Sequence, residues 1–119
     1  MKRLICNTDG GSRGNPGKAA IGIYIRNKDE SFKILYGECI GITTNNVAEY
    51  TALEKCLSLL KENNIKEADI YLDSLLVVNK VNGFWKIKDD NLRTINERVQ
   101  ELIKSFDDIT LEHVVRKYN

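Results

Sequence analysis

The run from Val47 to Leu60 limits the possible folds more than any other part of this chain. Within it Val47, Ala48, Ala52, Leu53, Cys56, Leu57 and Leu60 recur at three- and four-residue spacings. That periodicity describes one apolar stripe along a helix. Thr44-Asn45-Asn46 supplies cap-type residues before the stripe, and Asn63-Asn64 closes it. The helix separates an opening group of β-prone segments from the short apolar segment Ala68 to Leu72 (ADIYL). A strand reached through such a helix can return parallel to the first strand by a crossover.

The opening group has three members. Arg3 to Thr8 (RLICNT) is β-prone and is expected to stop at Asp9-Gly10-Gly11, where a glycine-rich loop runs on through Ser12-Arg13-Gly14-Asn15-Pro16-Gly17. Ala20 to Arg26 and Phe32 to Ile42 follow, separated by the polar cluster Asn27 to Ser31, and the three segments read as successive antiparallel strands. Beyond Leu72, the pattern predicts a short helix from Ser74 to about Val81 and an exposed aromatic and basic link over Gly83 to Lys88. A second long helix begins at Asp89-Asp90 and carries Leu92, Ile95, Val99, Leu102 and Ile103. A last strand spans Ile109 to Val115. The order β-β-β-α-β-α-α-β predicts an α/β fold, a mixed sheet flanked by helices, in one domain over residues 1–119.

Charge and cysteine content narrow the chemistry. Eighteen lysines and arginines stand against 17 aspartates and glutamates, so any nucleic-acid contact must come from a local patch. Cys6, Cys39 and Cys56 are odd in number and far apart. This fits neither zinc-ligand spacing nor a disulfide framework, and all three are expected to be buried free thiols. No apolar run approaches the roughly 20 residues of a membrane span, so no membrane partner is expected and a cytoplasmic protein is.

Three carboxylates stand out. Asp9 and Asp73 each follow a predicted strand, and Glu49 falls in the predicted first turn of the intervening helix. Ligand sites in such sheets form beyond the carboxyl ends of parallel strands, so the three can converge there. Each also has a local reading. Asp9 is an ordinary turn residue, Asp73-Ser74 can cap a helix, and Asn46 with Glu49 fits a capping box. A dinucleotide reading of the glycines fails because a strand-like segment, not a helix, follows them. His113, the only histidine, falls within the last predicted strand and is expected to be a packed or edge residue, not a base.

The stretch Asp9-Gly10-Gly11-Ser12-Arg13-Gly14-Asn15-Pro16-Gly17 resembles the opening signature of type I ribonuclease H. Thr43-Thr44-Asn45-Asn46-Val47-Ala48-Glu49-Tyr50 resembles that family's second motif, and Asp73-Ser74 with Val77-Val78-Asn79 its third. The resemblance implies a five-stranded mixed sheet, with three antiparallel strands and then two parallel to the first. It implies hydrolysis of the RNA strand of RNA–DNA hybrids to 5′-phosphate and 3′-hydroxyl products. Asp9, Glu49 and Asp73 would be the catalytic residues and the ligands of two Mg²⁺ or Mn²⁺ ions. Such ions sit roughly 3.5–4 Å apart in two-metal sites, with Asp9 as the bridge. Hard divalent cations prefer oxygen ligands, which is why carboxylates are required. By the same resemblance Ser12, Gly14, Asn15, Thr44, Asn45 and Asn46 contact the hybrid, several near the ribose 2′-hydroxyls that distinguish RNA from DNA. Trp85 and Lys86 would hold the DNA strand, although a hydrophobic anchor flanked by solvated lysines explains them equally well.

Three features depart from the family pattern. Leu75 replaces a glutamine that often follows Asp-Ser, and Asp89 replaces an asparagine where a DNA phosphate would approach. Glu112 to Asn119 resembles the lead-in to a fourth aspartate, which would fall about one helical turn beyond Asn119. The expectation is a weak second metal position, cleavage that improves with Mn²⁺, and a homodimer covering apolar surface near the last strand, with Asp107 or Asp108 nearby. No obligate protein partner is evident. The alternative reading is a hybrid-binding module of the same fold that cleaves weakly or not at all.

Overall fold

A computed structural model describes residues 3–115 of the chain. Its elements are β1 (Leu4–Gly14), β2 (Gly17–Arg26), β3 (Lys33–Thr43), α1 (Asn45–Glu62), β4 (Glu67–Leu72), α2 (Leu75–Val81), α3 (Asp90–Ile103) and β5 (Asp108–His113). The five strands form one mixed sheet in the order β3-β2-β1-β4-β5. β1–β2 and β2–β3 pair antiparallel, whereas β1–β4 and β4–β5 pair parallel. This is the ribonuclease H-like arrangement that the resemblance implied.

Strand periodicity decides which side of the sheet is covered. Leu4, Cys6, Thr8 and Gly10 on β1 are buried, as are Ile21, Ile23 and Ile25 on β2 and Ala68, Ile70 and Leu72 on β4. These alternate positions face the helices. The core is completed by Ala52, Leu53, Cys56, Leu57 and Leu60 of α1 and by Leu92, Ile95 and Val99 of α3. Tyr50 is also fully buried although it lies off the predicted stripe, and its hydroxyl reaches Asn96 Oδ1 at 3.3 Å. A buried tyrosine hydroxyl ordinarily finds such a partner. Burial pushes the pKa of the Tyr50 hydroxyl up to about 12.

The helix ends are set by local backbone chemistry. Thr44 caps α1, its side chain accepting from Val47 N, and Ser74 caps α2 by accepting from Val77 N. At the far end of α1, Asn64 takes a positive φ of 58°, Asn64 N donates to Lys61 O, and Ile65 N donates to Leu60 O. This pair of bonds is a Schellman closure, with Ile65 buried behind it. Gly83 closes α2 in the same way at φ 85°, with Gly83 N on Lys80 O and Phe84 N on Asn79 O. At the start of β1, Arg3 bridges Asp69 on β4 and Asp108 on β5, at 2.7 and 2.6 Å, and so ties three strands together.

Several expectations are corrected. β1 does not stop at Asp9: it pairs with β2 through Gly14↔Gly17, so the predicted glycine loop is mostly strand, and only its tip turns. Glu49 lies beyond the first turn of α1, which holds no acidic residue, and the cap is Thr44, so Asn46 and Glu49 do not form the capping box. Cys39 is exposed, and only Cys6 and Cys56 are buried. The last strand closes at His113, two residues before Val115, and His113 is exposed on this edge strand, which is one of its two expected places. Asp89, at the expected start of the second long helix, caps α3 by accepting from Leu92 N at 3.0 Å, in keeping with that expectation. The stretch Arg116 to Asn119, part of the expected lead-in, lies outside the described residues.

Candidate active site

The register of β1 against β4 places two of the three carboxylates. Parallel pairing ends at Thr8↔Leu72, so Asp9 and Asp73 are each the next residue on adjacent strands. Neighbouring strands lie about 4.8 Å apart, which makes these backbone positions neighbours at the carboxyl end of the parallel pair. Asp9 belongs to the strand phase of β1 that points away from the helices, together with Asn7, and Asp73 directly follows the end of β4. Asp9 is exposed and Asp73 half-buried.

Glu49 arrives from the helix layer. A Cβ built on Gly10 would lie 2.2 Å from Ala48 O and 2.7 Å from Glu49 N, so the α1 backbone rests directly on the strand beside Asp9. Only glycine allows this approach. The half-buried Glu49 therefore starts from a backbone position one residue away from Asp9 across the contact. Among the described residues no three acidic, thiol or imidazole side chains are closed into a ready metal cage. The fold instead brings together three carboxylate-bearing positions, an all-oxygen donor set suited to a hard divalent cation that completes its shell with water and substrate oxygens. Beside Asp9 lies a hollow of about 260 Å³ bordered by Asn7, Gly22, Tyr24, Leu35 and Tyr36.

The predicted substrate residues fall into two groups. Ser12, Gly14, Asn15, Thr44, Asn45 and Asn46 meet where the β1–β2 hairpin tip touches the start of α1. Ser12 N donates to Asn45 Oδ1 at 2.9 Å, and Asn45 N donates to Asn15 Oδ1 at 3.0 Å. Ser12 Oγ donates to Gly14 O at 2.6 Å, and Gly14 takes φ 85° at the tip. A cleft of about 600 Å³ opens beside this contact, lined by Gly11, Ser12, Arg13, Lys18, Cys39 and Asn45 among others. Trp85 and Lys86 belong to a separate feature, the exposed link after α2, whose Trp85 N donates to Asn79 O at 3.2 Å.

Three side chains escaped the sequence assignment. Arg13 and Lys18, cross-strand partners in the hairpin, add positive charge to the cleft. Phe84 is 76% exposed against 46% for Trp85, so the more available aromatic of the link was not the one singled out. Its signal was its place beside Trp85 in a segment with no helical or strand period.

Comparison with known proteins agrees with this geometry. A family model described as reverse transcriptase-like matches residues 7–119. The chain is 39% identical to ribonuclease HI of Halobacterium salinarum over 111 residues, spanning 93% of this chain but 56% of that protein. It is 33% identical to a ribonuclease H of Clostridium botulinum, over 98% of this chain and 80% of the relative. Among solved structures, the N-terminal ribonuclease H domain of a Mycobacterium tuberculosis protein superposes with a TM-score of 0.94 at 37% identity, covering 100% of this chain and 86% of that one. LC11 ribonuclease H1, crystallised with an RNA/DNA hybrid, superposes with a TM-score of 0.91 at 32% identity, covering 98% and 88%. The strand order, the three motifs and these relatives agree: the chain belongs to the ribonuclease H family.

Proposed function

We propose that this protein is a divalent-metal-dependent endonuclease that hydrolyses the RNA strand of RNA–DNA hybrids, leaving 5′-phosphate and 3′-hydroxyl ends. The observation that carries the reading is the meeting of Asp9, Asp73 and Glu49 positions, fixed by the Thr8↔Leu72 register and the Gly10 contact. Relatives named ribonuclease H, and a neighbour crystallised with a hybrid, support the substrate class.

In this reading Asp9, Glu49 and Asp73 hold Mg²⁺ or Mn²⁺. The bound metal supplies an activated water and charge stabilisation at the scissile phosphate. Asp9, on the middle strand between β2 and β4, would be the central member of that carboxylate set. The hairpin tip and the first turn of α1 face the minor groove, where ribose 2′-hydroxyls identify the RNA strand. Arg13, Lys18 and Lys86 neutralise phosphates, and Phe84 and Trp85 offer apolar faces to sugars or bases.

The test is cleavage of an end-labelled hybrid with Mg²⁺ or Mn²⁺, beside single-stranded RNA, duplex RNA and duplex DNA controls. Asp9→Asn should abolish cleavage while leaving the fold and chelator-phase hybrid binding intact. Retained cleavage by that variant would refute the metal assignment. Cleavage of duplex DNA in preference to the hybrid would refute the substrate assignment.

A further inference from the structure

The sheet ends on β3, and among the described residues no strand lies beyond it. An edge strand presents a row of unpaired backbone groups, which proteins commonly blunt with charge, proline or a bulge. β3 has one such device, a register shift opposite Ala19 and Ala20 that leaves Ile40 without a partner on β2. Before it, Lys33 to Cys39 pairs with Arg26 to Ala20 in unbroken register. That run holds no proline, and its two charges, Lys33 and Glu38, are opposite in sign.

The outward groups of the run follow from the hairpin that precedes it. Asn27 N donates to Phe32 O at 3.1 Å, which makes that pair a hydrogen-bonded position between β2 and β3. Bonded and non-bonded positions alternate along an antiparallel pair. Ile34, Tyr36 and Glu38 therefore bond to β2, whereas Lys33, Leu35, Gly37 and Cys39 turn their N–H and C=O groups outward. Reversed about Tyr36, this set maps onto itself, with Lys33 opposite Cys39 and Leu35 opposite Gly37. Moving the centre to Leu35 or Gly37 carries one end of the run into the hairpin turn or past the bulge and leaves outward groups unmatched.

The side chains favour the same centre. Tyr36 would occupy a non-bonded position, where opposed side chains approach most closely, so two copies of its ring meet at the axis. Lys55 Nζ lies 4.8 Å from the centre of the Tyr36 ring, and Tyr36 Oη donates to Glu38 Oε1 at 2.7 Å. Two copies therefore surround the tyrosine pair with two lysines and two glutamates, each Lys55 on the side of the other copy's Glu38. On the opposite face Leu35, 80% exposed, lies over the Gly37 of the other copy, which has no side chain to obstruct it. The two copies of Leu35 are then diagonal neighbours.

We propose that β3 is a self-association edge. Two copies of this chain pair antiparallel through Lys33 to Cys39, centred on Tyr36, and continue the sheet across a two-fold axis. The occupant is a second copy because the run is its own complement in backbone polarity, side-chain size and charge. The proposal is independent of the catalytic reading, and it places association at the opposite end of the sheet from β5, beside which the sequence suggested it. A strand pair this short belongs with interfaces below about 1,200 Å², so the dimer is weak and concentration-dependent.

Sedimentation velocity from micromolar to millimolar protein should show the wild type passing from monomer to dimer. Leu35→Lys sets two lysines diagonally at the axis and should raise the dimer dissociation constant about tenfold. Ile42→Lys adds the same charge at a side chain that is 75% exposed but lies beyond the bulge, and should leave the constant unchanged. Both replaced side chains are exposed, so thermal stability should match wild type in each.

Cysteine pairing in a Cys39→Ser background reads the register. Tyr36→Cys should join to itself under air oxidation, because Cα atoms of a non-bonded pair lie about 4.5 Å apart, within disulfide range. Leu35→Cys and Gly37→Cys should join to each other when mixed and far more slowly alone; a Cβ at Gly37 meets nothing closer than Ile21 O at 3.8 Å, so that variant folds without a clash. A wild type that stays monomeric at millimolar concentration overturns the proposal. So does equal weakening by Ile42→Lys and Leu35→Lys, or faster self-joining of Leu35→Cys or Gly37→Cys than of their mixture.

Discussion

Gly10→Ala tests whether the contact of α1 with β1 creates the site. The backbone of Gly10 is not in the left-handed region, so alanine meets no conformational objection there. The objection is space: the new Cβ would lie 2.2 Å from Ala48 O and 2.4 Å from Ala48 C, against the 3.0 Å that real Cβ atoms require. Both obstacles are helix backbone, which no rotamer change can move. The start of α1 must therefore retreat by at least about 0.8 Å, or the strand must bend by as much. Overpacking of this kind typically costs about 1–3 kcal/mol. The retreat also lifts Glu49 away from Asp9 and Asp73, and misplacement by about 1 Å can cost about 100-fold in rate.

Urea unfolding and single-turnover hybrid cleavage measure the two effects separately. Gly22→Ala is the stability control, because Gly22 is the cross-strand partner of Asp9 and a Cβ there meets nothing within 4 Å. Its stability should be unchanged or up to about 1 kcal/mol higher, since alanine lowers the entropy of the unfolded chain. Gly10→Ala with stability within about 0.5 kcal/mol of wild type and cleavage within about twofold would refute the argument, since those values mark an ordinary surface substitution.

Arg3→Ala should cause a small loss of stability at neutral pH, an effect that weakens with added salt. The Arg3 guanidinium lowers the Asp69 carboxyl from its usual value of 3.8, so the contribution is present above that value and lost as pH falls through the lower folded value; acid unfolding curves of the variant and wild type should converge there. Tyr50→Phe should cost about 1 kcal/mol near neutrality through its lost hydrogen bond. Because burial raises the hydroxyl from 10.0 to about 12, wild-type stability should fall as pH climbs from the lower value through the higher, and the variant should lack that alkaline limb. Lys86→Ala should lower hybrid affinity and make the dependence of log K on log salt shallower by about one unit; an unchanged slope would remove Lys86 from the phosphate contacts.

What could be read from the sequence follows from where physical requirements are local. The apolar stripe of α1, the order of strands and the carboxylates after Thr8 and Leu72 were legible because side-chain period and element ends leave marks within a few residues. The path of β1 through Gly10 and Gly11 was not. Those glycines look like a loop, and what makes them strand is pairing with Ala20 and Ile21 across the hairpin and, at Gly10, the helix lying on top. Tyr50 was missed because it lies off the apolar stripe of α1 and its hydroxyl is met by Asn96, 46 residues away.

The cap of α1 shows how tertiary pairing chooses among equal local options. Thr44, Asn45 and Asn46 can all cap a helix, and the sequence alone does not rank them. β3 remains paired to β2 as far as Gly17↔Thr43, so Thr44 is the first residue released from the sheet and takes the cap. That choice makes Asn45 the first helical residue and frees its side chain for Ser12, while its N–H goes to Asn15. It also fixes the phase of α1, so that Ala48 rests over Gly10 with its carbonyl and Glu49 with its N–H. One residue more of sheet pairing would make Asn45 the cap and commit its side-chain oxygen to the N–H three residues on, that of Ala48. The hairpin would lose that oxygen, and α1 would turn by about 100° against the sheet. The Asn45 side chain and the Glu49 position thus share one register, set where β3 lets go.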